Sequence, residues 1–164
     1  MKTAVCPGSF DPITKGHLDI ITRASGMFDR VTCLIVVNPN KSPHFSLEER
    51  RALAKKATAH LENVSVDVHV GLLADYLREN KIDVIVKGLR AMSDFEYEFQ
   101  MALTNKALVP ETETVFLNTS KDFLFTSSSL VRELASFGGD IRKFVPETVY
   151  DDVIEHYKEN YKNK

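Results

Sequence analysis

Apolar positions along the chain fall into short β-branched runs separated by stretches with helical spacing. Thr3 to Cys6 is a brief apolar run, and Arg30 to Asn38 is nearly continuous in apolar and β-branched residues. A run of that kind marks a parallel strand covered on both faces. Val64 to Val70 alternates valine with polar residues, as an edge or half-exposed strand does. Asp83 to Val86 predicts a fourth strand, ending in Lys87-Gly88-Leu89-Arg90, and Glu113 to Leu117 predicts a fifth. From about His17 to Phe28, residues Ile20, Ile21, Ala24, Met27 and Phe28 share one helical face, with His17 at its head. Ser46-Leu47-Glu48-Glu49 reads as a capping box for a helix to about His60, and Ser93-Asp94-Phe95-Glu96 as another for a helix to about Leu108.

That second helix carries two apolar stripes. Phe95, Phe99, Ala102 and Leu103 form one, Tyr97, Met101 and Leu108 the other, with Asp94, Glu98 and Asn105 between them. A helix apolar on two sides is expected to be covered on two sides, by its own core and by a neighbouring subunit or a ligand. Gly71 to Asn80 predicts a short helix burying Leu73, Tyr76 and Leu77. Ser127-Ser128-Ser129 caps another, which stops at Gly138-Gly139, and Pro146 starts a final one whose Lys-Asn tail should fray. Strands and helices alternate without repeat, linker or low-complexity tract. The pattern predicts one doubly wound, Rossmann-like α/β domain over residues 1–164, built on a five-stranded parallel sheet.

Charge and cysteine content narrow the function classes. A net charge of −2 with no basic block argues against nucleic acid as a partner. No apolar run approaches the roughly 20 residues of a membrane span, and the start is too quickly polar for a signal peptide. Cys6 and Cys33 sit in apolar runs without Cys-x-x-Cys spacing, so buried thiols in a reducing cytoplasm are expected. His44, His60, His69 and His156 lack metal-ligand spacing and are read as structural, so no protein metal ligand set is expected.

Candidate chemistry gathers where strands end. Pro7-Gly8-Ser9-Phe10-Asp11-Pro12-Ile13-Thr14-Lys15-Gly16-His17 follows the first strand and opens the first helix. Prolines and glycines hold such a loop open and let backbone approach a ligand. Ser9, Thr14 and His17 suit phosphate oxygens, and a helix N-terminus favours an anion. In open parallel sheets ligands bind beyond the carboxyl ends of the strands. The same rim should receive Lys41, the Gly71 to Leu73 turn, Lys87 to Arg90, and Thr119 to Ser129. A single lysine there is ordinarily a solvated charge, and a lone histidine an ordinary structural one. Several basic groups on separate loops of one rim instead match a polyphosphate. Neither Gly-x4-Gly-Lys-Ser/Thr nor Gly-x-Gly-x-x-Gly follows strand one, and Ser9 is not on a Gly-x-Ser-x-Gly elbow. P-loop NTPase, dinucleotide dehydrogenase and serine hydrolase are therefore disfavoured.

Thr14-Lys15-Gly16-His17 resembles the T/H-x-G-H motif of the nucleotidyltransferase α/β-phosphodiesterase superfamily. Combined with Lys87-Gly88-Leu89-Arg90, Asp94-Phe95-Glu96-Tyr97-Glu98 and Ser127-Ser128-Ser129, the chain resembles the bacterial phosphopantetheine adenylyltransferase family over essentially its whole length. The resemblance implies AMP transfer from ATP to 4′-phosphopantetheine, giving dephospho-coenzyme A and pyrophosphate with Mg²⁺ assisting. It implies ATP contacts from Ser9, Phe10, His17, Gly88, Leu89, Arg90, Glu98 and the segment Phe123, Leu124, Phe125, Thr126, Ser127, Ser128, Ser129. Acceptor contacts would come from Ser9, Lys41, Leu73 and Lys87. His17 and Lys41 would serve the reaction centre, and Arg90 and the Ser127–Ser129 helix start the β- and γ-phosphates. A homohexamer and feedback by coenzyme A are also implied. Ser9 stands where Thr is frequent, a mild change. Lys87 stands where Arg is common and lacks its bidentate fork.

Two other functions share these residues. A sister nucleotidyltransferase would use another acceptor, such as nicotinate mononucleotide, or CTP with a polyol phosphate. A sensing module would bind ATP without turning it over. A class I aminoacyl-tRNA synthetase has a related motif, but Lys-Met-Ser-Lys-Ser is missing from this chain.

Overall fold

Five strands, β1 (Thr3–Gly8), β2 (Arg30–Val37), β3 (Val64–Val70), β4 (Val84–Leu89) and β5 (Glu113–Asn118), pair in the order β3-β2-β1-β4-β5. Every pairing is parallel, as the apolar runs predict. This computed structural model describes residues 1–37 and 42–162, the side chains at 92, 93 and 159–162 apart. The expectations placed on Asn38 to Lys41 lie outside the described residues.

Alternation along the strands divides the core into two layers. Ala4 and Cys6 of β1 and Val31, Cys33 and Ile35 of β2 face helices α1 (Lys15–Ser25), α2 (Leu47–Thr58), α5 (Ser128–Ser136) and α6 (Tyr150–Lys162). Val5, Leu34 and Ile85 face the opposite way, toward α3 (Leu73–Glu79) and the end of α4 (Met92–Leu108). Cys6 and Cys33 stand opposite each other in register, both free and buried. Burial pushes the Cys6 thiol up to about 12 and raises Cys33 as well, so neither offers a thiolate.

Helix α2 begins as its sequence predicts: Ser46 accepts from the Glu49 amide, and the Glu49 carboxylate accepts from the Ser46 amide. Three expectations need correction. The fourth strand does not stop at Val86. It runs to Leu89, with Lys87, Gly88 and Leu89 paired to Phe116, Leu117 and Asn118. The added length rests on Gly88, where Ile20 of α1 packs directly against the strand. A Cβ at Gly88 would come within 2.8 Å of Ile20 Cγ1. Gly88→Ala should therefore destabilise the fold by about 1–3 kcal/mol. At roughly 2–4 °C per kcal/mol for a chain of this size, a thermal melt should show a clear drop.

Helix α4 starts earlier than the spacing of Ser93 and Glu96 predicts: Ala91 is its N-cap, with no side-chain cap, and residue 93 falls in the first turn. Asp94 turns instead to Arg90, accepting from its backbone amide at 3.2 Å and from Nε at 3.1 Å. The faces of α4 are also arranged differently from the two-sided expectation. Its polar line points at the body of the protein, where Glu98 meets Lys87 and Asn105 is buried. Phe95 stacks on Phe99 and meets Phe116 edge-on, while Tyr97, Phe99, Leu103 and Leu108 stay exposed. Cations at the end of β4 draw the carboxylates inward, and the apolar residues are left outside.

Candidate active site

Strand order reverses between β1 and β4, so the crevice for a ligand opens beyond their carboxyl ends. The loop leaving β1 enters α1 through a capping box with an unusual partner. Thr14 Oγ1 accepts from the His17 amide at 3.3 Å, and the Thr14 amide donates to His17 Nδ1 at 3.1 Å. A histidine thus fills the place where Glu or Gln ordinarily reaches back. The bond also fixes the tautomer. Nδ1 accepts from an amide, so the proton of the neutral ring sits on Nε2.

His17 is held neutral. Burial, then the charges of Arg90 and Lys87, lower it to about 4 from an ordinary 6.5. Phe10 meets the ring edge-on, with centroids 5.0 Å apart. The folded protein binds fewer protons than the unfolded chain between those two values. His17 therefore contributes its full stabilisation above pH 6.5 and loses it as pH falls through 4. An NMR titration of the imidazole should show an Nε2–H tautomer from neutral pH down to about pH 5, with protonation near pH 4.

Phe10 occupies a left-handed backbone conformation (φ 46°) and buries its ring over Gly8. A Cβ at Gly8 would stand 3.1 Å from that ring, which explains the glycine. The Phe10 side chain is thus committed to packing against Gly8 and His17. Ser9 is exposed, and its carbonyl accepts from the buried Arg50 Nη1 at 3.1 Å.

From β4, Lys87 pairs with Glu98 at 3.2 Å, both half-buried. Glu98, expected to touch the nucleotide, is thereby tied to the lysine expected to touch the acceptor. Gly88 and Leu89 lie within the strand, and Arg90 follows it. Arg90 donates to both carboxylate oxygens of Asp94 and, through Nη1, to the Thr126 carbonyl at 3.3 Å. It bridges β4 to the segment leading into α5. Along that segment Phe123 ends a 3₁₀ turn (Lys121–Phe123), Leu124 and Phe125 are exposed, and Thr126 is buried. Ser127 accepts from the Leu130 amide as the cap of α5, and Ser128 donates to the Pro12 carbonyl at 2.8 Å. Ser129 is exposed and accepts from Arg132 Nη2. Leu73 opens α3 beyond β3, packed against the second core layer. Lys41 lies outside the described residues.

Among the described residues the rim offers the neutral His17 donor, the Arg90 guanidinium, the Lys87 ammonium and the start of α5. Such a set can bind and neutralise phosphate. Three residues that organise it escape sequence reasoning. Asp11, Arg50 and Arg132 work through contacts to residues 33 to 121 positions away, and local pattern carries no trace of Asp11 or Arg132. The nearest signal is a buried-face arginine, Arg50, within the apolar stripe of α2.

Residues 5–134 match the cytidylyltransferase-like family model. Over all 164 residues the chain is 51% identical to the phosphopantetheine adenylyltransferase of Heliobacterium modesticaldum, covering 98% of it. It is 56% identical to that of Alkaliphilus metalliredigens over 91% of this chain and 95% of the relative. For the Thermotoga neapolitana protein the figures are 54%, 95% and 97%. Among solved structures, nicotinic acid mononucleotide adenylyltransferase of Plasmodium falciparum, complexed with NaAD, superposes with a TM-score of 0.68. Its identity is 16%, with 98% of this chain and 96% of that one covered. The bifunctional NMN adenylyltransferase/ADP ribose pyrophosphatase of Francisella tularensis gives a TM-score of 0.72 at 19% identity, over 98% of this chain and 54% of that one. At such low identity these two share the fold. With half its residues identical to the named relatives along its whole length, the chain belongs to the cytidylyltransferase-like family and, within it, to the phosphopantetheine adenylyltransferases.

Proposed function

We propose that the protein transfers AMP from ATP to 4′-phosphopantetheine, releasing pyrophosphate and forming dephospho-coenzyme A. The observation that carries the chemistry is His17, a neutral Nε2–H donor fixed at a helix start beside Arg90. The acceptor follows from the family. A phosphate oxygen of the acceptor attacks the α-phosphorus of ATP, and the bond to the bridging oxygen of the β-phosphate breaks. The nucleophile is already an anion at neutral pH, so no proton has to be removed and no covalent enzyme intermediate is needed. Catalysis is then alignment of two anions and stabilisation of charge on the α-phosphate and the departing pyrophosphate. His17 Nε2–H serves the α-phosphate; Arg90 and the Ser127–Ser129 start of α5 serve the β- and γ-phosphates. The Ser9–Phe10 backbone, Gly88, Leu89 and Glu98 flank the nucleotide, as does the segment from Phe123. Lys41, Leu73, Lys87 and the Ser9 hydroxyl serve the acceptor.

Mg²⁺ fits this rim as an ion carried on phosphate oxygens. The nearby carboxylates of Asp94 and Glu98 are engaged by Arg90 and Lys87, and among the described residues no group of three or more His, Cys, Asp or Glu could hold a metal. When bound, Mg²⁺ would neutralise the departing pyrophosphate while keeping most of its waters. Self-association as a homohexamer would cover the exposed Tyr97, Phe99, Leu103 and Leu108 face of α4. Coenzyme A, which contains the product, would bind as a feedback ligand in competition with phosphopantetheine. A cytoplasmic location agrees with free buried thiols, and no described helix is long and apolar enough to cross a membrane.

Incubating the protein with ATP and Mg²⁺ and each acceptor in turn tests this. Pyrophosphate release is expected with 4′-phosphopantetheine. Release with nicotinate mononucleotide instead would overturn the acceptor assignment, and ATP binding without release under any condition would favour a sensor.

A further inference from the structure

Asp11 sits in the loop after β1 with its residue 7% exposed, and none of the roles above uses it. Its two carboxylate oxygens accept from consecutive amides, Oδ2 from His44 at 3.0 Å and Oδ1 from Phe45 at 2.8 Å. Those amides belong to the β2–α2 connection, the side of the site where the acceptor is expected. From the other direction comes Arg132 of α5. Its Nη1 donates to the Asp11 carbonyl at 2.7 Å and lies 3.7 Å from Oδ2, while Nη2 donates to Ser129 at 3.2 Å. Ser128 of the same helix start donates to the Pro12 carbonyl. One buried residue thus joins three parts of the rim, its carboxylate reaching the β2–α2 connection and its carbonyl the guanidinium of α5. A carboxylate receiving two amides, with a guanidinium beside it that bonds the same residue's carbonyl, is a rigid junction, because the amide bonds are charge-assisted and the carboxylate is buried.

We infer that Asp11, clamped by Arg132, is a positioning residue that fixes the acceptor-side segment at His44–Phe45 relative to the phosphate-receiving start of α5. The inference rests on the proposed AMP transfer for its kinetic consequence. In-line attack needs donor and acceptor phosphates held at near-contact distance, and a misplacement of about 1 Å can cost 10²-fold in rate. A junction of this kind governs the relative placement of two substrates more than the affinity for either. Its loss should therefore appear in kcat, with little change in ATP binding.

The test compares Asp11→Asn, Arg132→Met and the double variant with the unaltered enzyme. The readouts are pyrophosphate release, ATP affinity by calorimetry, and amide exchange at His44 and Phe45. Asp11→Asn should lower kcat about 10-fold or more with the ATP Kd within about 3-fold. The double variant should lose no more than the worse single variant, because both act through one junction. Additive losses, or an unchanged kcat in a folded Asp11→Asn protein, would overturn the proposal. Should Asp11→Asn fail to fold, Arg132→Met carries the same test. If the unaltered protein releases no pyrophosphate with 4′-phosphopantetheine, the functional reading falls while the junction is still decided by exchange. A rise of about 10-fold or more at His44 and Phe45 in Arg132→Met supports the clamp, and unchanged exchange there overturns it.

Discussion

His17→Ala should lower kcat by roughly 10²-fold or more while weakening ATP binding much less. The ring's Nε2–H is fixed by the bond that Nδ1 accepts from Thr14. It is a donor without a formal charge, held neutral by burial, Arg90 and Lys87. Such a donor contributes little to ground-state binding of a polyphosphate, which the cations and the α5 start supply. It contributes most when charge accumulates on the α-phosphate oxygens. Alanine also deletes the side-chain half of the capping box, yet Thr14 Oγ1 still accepts from the amide of residue 17. Loss of one cap bond costs about 0.5–2 kcal/mol, so the variant should remain folded. Quench-flow assay with calorimetric ATP titration separates the two effects. Unchanged turnover would remove His17 from the mechanism. His17 itself should add no pH dependence to the rate across the neutral range, since a group near 4 does not titrate there.

How much of this was legible follows the range of the interactions involved. The sheet was readable because parallel strands need unbroken apolar runs, and Arg30 to Val37 supplies one. The rim followed from topology alone, since loops after strands must share an edge. Thr14 shows where local reading falls short: its hydroxyl suits phosphate by chemistry, but the fold commits it to capping α1 and orienting His17. Helix α4 shows the same limit at larger scale. Ser93 and Glu96 have capping-box spacing, but the helix starts after Ala91, and two cations at one strand end turn the polar line inward. Periodicity records which residues share a face and is silent on what the neighbouring strand presents to them. Asp11 lay beyond reach altogether, because its donors are contributed by residues 44, 45 and 132.

Arg90→Met should reduce kcat/KM by about 10²–10³-fold, with almost no loss of stability. Arg90 and Asp94 form a pair whose side chains are 41% and 28% exposed, and such a pair contributes at most about 1 kcal/mol to folding. Its value to the reaction is larger because its fork has two jobs. Nε and Nη2 are held by Asp94, which orients the plane, and Nη1 reaches the Thr126 carbonyl at the approach to α5. Methionine keeps the bulk and removes the cation, so in the proposed reaction the developing charge on pyrophosphate would lose its partner. It would also leave the Asp94 carboxylate without its cation at the proposed triphosphate site, adding repulsion to the loss of attraction. Arg90→Lys should recover little, since an ammonium cannot span both partners in one plane. The repulsive part can be isolated. Arg90→Met combined with Asp94→Asn should regain about 5-fold over Arg90→Met alone, the scale of one water-screened charge pair of about 1 kcal/mol. A double variant slower than the single one would mean that Asp94 acts on the reaction by a route other than its charge beside the phosphates.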